Sequence, residues 1–187
     1  MTNFVALLRG VNVTGHNRLR MPELRRLAED LGHREVRTYI QSGNLVFAAA
    51  GPAPTEEDRL ERGIRERFGL AVPVVLRTAA EWAAYAGGPP FPDAAERDPS
   101  HLLLALSKAP PADGVLTALR ARAAAGEQME LVGDALWIHY AGGVARSNLS
   151  PAVLDRLVGS PVTARNWRTV QELARLAGVT RTGSGTR

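Results

Sequence analysis

The order in which strand-like and helix-like segments follow one another constrains this chain most, because it occurs twice. Residues 3–9 form an apolar run of strand length, and a polar, Gly-containing loop over 10–20 follows. Pro22 stands in the first turn of a helix whose face carries Leu24, Leu27, Ala28 and Leu31, and Gly32 stops it. Residues 35–41 and 44–48 read as strands around Ser42-Gly43. Thr55-Glu56-Glu57-Asp58 reads as a capping box opening a helix that ends at Gly69, before a fourth strand over 72–76 and a short helix over 79–86. Residues 87–100 have the Gly/Pro composition of a linker. The order then recurs: strand 101–106, helix 112–125, strands 128–132 and 135–140 around Gly133-Asp134, a helix from Ser150-Pro151 to Gly159, strand 162–165 and helix 167–177. Residues 180–187 read as a frayed tail.

Two β-α-β-β-α-β passages predict an α+β chain: two ferredoxin-like units in tandem, over 1–86 and 101–179, each an antiparallel sheet with helices on one face. That plait orders its strands 4-1-3-2, so the fourth strand lies at an edge. Pro73 and Pro161 fall in or beside the two fourth strands, where a missing N–H is tolerated. Val5-Ala6-Leu7-Leu8 and Leu102-Leu103-Leu104-Ala105-Leu106 do not alternate with polar residues, so both faces of these strands are expected to be covered.

Composition narrows the setting. The chain of 187 residues is 45% apolar and 22% charged, the balance of a globular protein. No apolar run approaches the ~18 residues of a membrane span, and the N-terminus lacks the pattern of a secretory signal. Cysteine is absent, which excludes disulfides, thiol chemistry and thiolate metal sites. A cytoplasmic protein is expected. The net charge of +4 comes from 22 Arg and one Lys and is shared evenly between the halves on either side of residue 88. This is not the lopsided stripe of a dedicated nucleic-acid binder.

Topology gathers the polar loops. The loop after the first strand (Arg9, Gly10, Asn12, Gly15, His16, Asn17, Arg18) and the hairpin Gln41-Ser42-Gly43-Asn44 meet at one end of the first sheet. In the second unit Arg146 and Ser147, after the third strand, share the opposite end with Arg165, Asn166 and Trp167, where the fourth strand exits. Glycines let backbone N–H groups approach a ligand, helix N-termini add partial positive charge, and Arg offers a planar fork to phosphate or carboxylate. Gly, Asn and Ser also build tight turns, so each residue carries a purely structural alternative.

Leu7-Leu8-Arg9-Gly10-Val11-Asn12-Val13, Thr38-Tyr39-Ile40-Gln41-Ser42-Gly43-Asn44 and Thr163-Ala164-Arg165-Asn166-Trp167 resemble, in order and spacing, the signatures of a bacterial family of uncharacterised proteins, domain of unknown function 1697. The resemblance spans nearly the whole chain. It implies tandem ferredoxin-like subdomains and brings no activity, cofactor or catalytic residue. Thr14, Asn148 and Arg168 depart from the family pattern, where Gly, Lys and Asn are usual.

Several chemistries are disfavoured. Gly10-x-Asn12-x-x-Gly15 imitates a dinucleotide fingerprint, but the next strand turns into a hairpin and no ribose-binding acid follows. The four histidines show no metal-ligand spacing, so no metal and no cofactor are expected. Ser42 has only His16 as a plausible base, and neither motif holds an acid to orient it. The acids of the second helix read as a solvated face and caps. Base stacking on the sheet would need Phe4, Phe47, Trp137 and Tyr140 open, so nucleic acid is the less favoured partner. The expectation is a module that binds a small phosphate-bearing or other anionic ligand. An enzyme acting on a small phosphorylated or nucleotide-like substrate, and a non-catalytic scaffold, remain as alternatives.

Overall fold

The first half of the chain runs β1 (Thr2–Leu8), α1 (Met21–Asp30), β2 (Arg34–Tyr39), β3 (Asn44–Ala49), α2 (Ala53–Phe68), β4 (Val74–Thr78) and α3 (Ala79–Ala86). α4 (Pro92–Arg97) intervenes, and the order repeats as β5 (Leu102–Ser107), α5 (Val115–Arg122), β6 (Gln128–Val132), β7 (Ala135–His139), α6 (Pro151–Val158), β8 (Val162–Asn166) and α7 (Trp167–Leu176). These elements come from a computed structural model that describes residues 1–13, 15 and 17–179. The strands form two antiparallel sheets, β2-β3-β1-β4 and β6-β7-β5-β8, so the fold is α+β with tandem ferredoxin-like units.

The apolar runs explain this layout. In β1 the side chains of Phe4, Ala6 and Leu8 join Leu45 and Phe47 of β3 against Leu24, Leu27 and Ala28 of α1 and Leu60 and Ile64 of α2. Val5 and Leu7 project from the opposite face and are equally buried, so both faces of β1 are covered as the unbroken run requires. In the second sheet Ala105, Leu136 and Ile138 pack with Val115 and Leu119 of α5 and Leu154 and Val158 of α6. Among the described residues no helix is long and apolar enough to cross a membrane.

The edge strands carry a device that the sequence reading missed. Glu57 and Glu61 of α2, assigned there to a solvated face, accept the backbone N–H groups of Leu76 (3.0 Å) and Val74 (2.8 Å) on β4. Asp155 of α6 accepts that of Val162 on β8 (2.8 Å). A carboxylate that occupies an edge N–H both satisfies it and charges the edge against further strand pairing. Glu56 is buried too, between His33 Nε2 and Arg59 Nη1, each at 2.8 Å.

Several boundaries differ from the sequence reading: β4 covers Val74–Thr78 rather than 72–76, and α5 covers Val115–Arg122 rather than 112–125. α2 begins at Ala53 after Pro52 rather than behind a Thr55 cap, because Pro54 already sets the backbone of its first turn. The capping box occurs instead at Thr78 and Glu81, opening α3. Within the stretch read as a linker, Pro92 starts a helical turn and Asp93 supports its N-terminus. The described residues divide into two compact units, Met1–Gly88 with 171–179, and Pro89–Val170. The end of α7 thus groups with the first unit, where Asn3 and Arg37 donate to the carbonyls of Ala177 and Leu176, each at 3.3 Å. The expected tail over 180–187 lies outside the described residues.

Candidate functional site

Register fixes one end of the first sheet. Leu7 lies opposite Asn44 and Leu8 opposite Val74, so the loop leaving β1 meets the β2–β3 hairpin there. The Leu8 N–H donates to Gly43 O (2.8 Å) and the Arg9 N–H to Pro73 O (2.9 Å). The loop that follows is left-handed at Gly10, Asn12, Gly15 and Asn17, with φ between 48° and 82°. Asn tolerates that region better than other side chains that carry a Cβ. Asn12 holds the loop in place: its Nδ2 donates to Leu19 O (2.8 Å) and Gln41 O (2.7 Å), and its Oδ1 accepts from Leu19 N (2.9 Å). Asn17 Nδ2 donates to Gly10 O (3.1 Å). Asn44 is buried, donating to Tyr39 O (3.0 Å) and to Ser42 Oγ (2.9 Å). Gly43, at φ 73°, is required by space as well as by conformation, since a Cβ there would collide with Val11 and with Leu8.

Asn12, Asn17 and Asn44 are therefore struts. What they hold up is a depression of about 370 Å³ lined by Asn12, Gly15, Arg18, Leu19, Arg20 and Gln41. Arg18, Arg20 and Gln41 are exposed, and none of the described lining residues is acidic; Arg9 and Ser42 are half-buried and stand outside the lining. The nearest carboxylate to Arg20, that of Glu23, stands 4.0 Å away on the surface, a contact of little strength. His16 lies outside the described residues.

The second unit's candidates also share one end of their sheet, with Leu102 opposite His139 and Leu103 opposite Asn166, but their side chains are engaged differently. The Ser147 hydroxyl donates to Glu127 Oε1 and accepts the N–H of Leu149. Glu127 also accepts the Ala125 N–H (2.8 Å), and these bonds hold its carboxyl below the usual carboxylate range. Burial, with the Glu127 charge adding to it, pushes the neighbouring Tyr140 phenol up to about 12. A fixed negative charge beside Ser147 repels an anion. Arg165 is buried and donates to Thr163 Oγ1 (2.8 Å) and Ala164 O (2.9 Å); burial lowers its guanidinium to about 10, so it stays charged at neutral pH. Asn166 caps α7 by accepting the Thr169 N–H (3.0 Å). Trp167 is core, edge-on to Trp137 at 5.8 Å. Only Arg146, in a short 3-10 turn, is exposed.

Comparison with known proteins shows the family and the fold. The family described as protein of unknown function (DUF1697) matches residues 1–137. The chain belongs to this family. The matched stretch contains every first-unit candidate and none of those from Arg146 onward. The chain is also similar in structure to a conserved bacterial protein of Streptococcus pneumoniae, with a TM-score of 0.73 and 20% identity over 94% of this chain and 98% of that one. At that identity the likeness speaks for the fold alone. No curated protein matches the chain.

The DUF1697 chain holds a further polar network that the sequence reading did not foresee. Asp98 accepts from His101 Nδ1 (2.7 Å) with one oxygen and from His139 Nε2 (3.0 Å) with the other. Those bonds, His139's foremost, hold the Asp98 carboxyl below its ordinary range. The three groups bond to one another rather than converge on a common point. Among the described residues no group of three or more His, Cys, Asp or Glu could hold a metal ion. The signal was present in the i, i+3 spacing of Asp98 and His101 and in the strand pairing that sets Leu102 against His139. Phe4, Phe47, Trp137 and Tyr140 of the same DUF1697 chain are all buried, so no base can stack on them.

Proposed function

We propose that the loop cluster of the first unit, residues 9–20 with 40–44, binds a small phosphate-bearing or other anionic ligand. The second unit's cluster serves as framework. One observation carries this: a depression held open by asparagine struts, edged by exposed Arg18 and Arg20 and free of acids among its described lining residues. Gly10 and Gly15 are exposed and left-handed, a backbone form that can turn N–H groups toward an anion, and arginine supplies charge and a two-pronged donor. Small ligand sites start at about 300 Å³, which this depression exceeds. A cysteine-free sequence suits the cytoplasmic setting we assign to it.

The test is thermal-shift screening with inorganic phosphate, phosphate esters, nucleotides and short oligonucleotides at low and physiological salt. A ligand at one hundred times its Kd adds about 2.7 kcal/mol of stability, a shift of several degrees. A shift that persists at physiological salt and is lost in Arg18→Ala is the expected result. A response to every oligonucleotide that fades steeply with salt would indicate generic phosphate attraction instead. A flat panel would leave the scaffold alternative.

A further inference from the structure

The chain segments that line the depression also carry apolar side chains just outside its lining. Val13 is 55% exposed and Ile40 51% exposed, two of the few large apolar side chains left open on the described surface. Each adjoins a residue that lines the depression, Asn12 or Gln41, and the Asn12 Nδ2 to Gln41 O bond (2.7 Å) ties the two segments together. Ile40 is also left-handed, at φ 46°. A β-branched residue in that region is a genuine outlier and strained, and a half-exposed side chain recovers little of that strain by packing. Gly or Asn would make the same turn with less strain. The fold alone thus gives no reason for a large aliphatic group here.

We infer that the ligand of this cluster is a small anion joined to an apolar body, an organic phosphate or carboxylate with a hydrocarbon or aromatic substituent. Its charged group meets Arg18 and Arg20, and its apolar part covers Val13 and Ile40. The inference rests on the anion site proposed above and adds its second half. Arginines beside exposed aliphatic carbon complement such a molecule. Inorganic phosphate would leave Val13 and Ile40 in water, and a neutral hydrocarbon would leave the charges unused.

Isothermal titration of the full chain with inorganic phosphate, phenyl phosphate and phenol tests this directly. Phenyl phosphate should bind about tenfold more tightly than inorganic phosphate, the effect of burying a modest apolar area, and phenol should not bind measurably. Ile40→Gly, which relieves the strained backbone and so keeps the fold, should bring the ratio of the phenyl phosphate and inorganic phosphate affinities close to one. Val13→Ser, at a position without positive φ, should reduce the advantage independently. Equal affinity for the two phosphates would overturn the inference and leave the anion site standing. So would a phenyl advantage that survives both substitutions. Absence of binding by either phosphate would overturn the anion site itself and this inference with it.

Discussion

The two loop clusters are built from the same residue types and end up doing different work. In the first unit the asparagines turn inward to brace the backbone, and Arg18, Arg20 and Gln41 face solvent. In the second Arg165 lies under the surface, Ser147 is held by Glu127 and Asn166 is committed to the cap of α7, which leaves Arg146 exposed beside engaged neighbours. Residue composition alone therefore does not make a binding loop. What separates the clusters is which groups the backbone geometry consumes and whether a carboxylate is placed among them.

The largest predicted difference lies between two hairpin glycines. Gly43→Ala should destabilise the protein by about 2–4 kcal/mol, because it combines left-handed strain with collisions against Leu8 and Val11. Gly133, the corresponding turn residue of the second unit, is also left-handed at φ 62° but faces open space, so Gly133→Ala should cost only about 1 kcal/mol. Denaturant melts of the two variants give the comparison. Equal losses would mean that the Gly43 turn yields to a methyl group.

Next come the asparagines. Asn12→Ala removes three hydrogen bonds and strands Leu19 and Gln41 backbone groups, which should destabilise by about 2–3 kcal/mol and also abolish ligand binding. Asn166→Ala should cost about 1 kcal/mol, the value of a helix cap, with binding unchanged. Measuring stability and affinity on the same samples separates the two roles.

Acid should find the units in sequence. Burial holds His33 below its ordinary pKa despite its bond to Glu56, and its Nδ1 has no hydrogen-bond partner. As pH falls through about 6.5 the unfolded chain takes up a proton that folded His33 resists, so stability declines from there downward. Asp98 behaves oppositely in origin: its folded pKa is lowered, so its contribution is present above the unfolded value of about 3.9 and lost only as pH falls below that. Melting temperatures between pH 7.5 and 3 should show the first decline vanish in His33→Phe, whose ring keeps the stack on Phe47, and persist in Asp98→Asn.

Much of this was legible in the sequence. The doubled element order required the two plaits, and the unbroken apolar runs of β1 and β5 required central strands. The meeting of the Arg9–Arg18 loop with the Ser42-Gly43 turn followed from topology alone. What could not be read was the use of each polar side chain. Nothing in the spacing separates Asn12, a strut, from Gln41, whose side chain is exposed. Nothing local tells that Glu57 and Glu61 reach the edge of β4, because those bonds depend on how α2 lies across the sheet. The same blindness made Arg165 look like a surface cation: its environment is set by tertiary packing, which pattern does not encode.

The account turns on the contrast between an open, acid-free cluster and one whose polar groups are engaged beside a carboxylate, so the most direct measurement is calorimetric titration of a phosphate ester into the wild type, Arg18→Ala and Arg146→Ala, an exposed arginine from each. Loss of a charge-assisted contact of about 1.5–3 kcal/mol should weaken binding ten- to a hundredfold in Arg18→Ala, whereas Arg146→Ala should stay within a factor of about two. Equal weakening by the two substitutions, or a wild type that binds no phosphate ester, would contradict it.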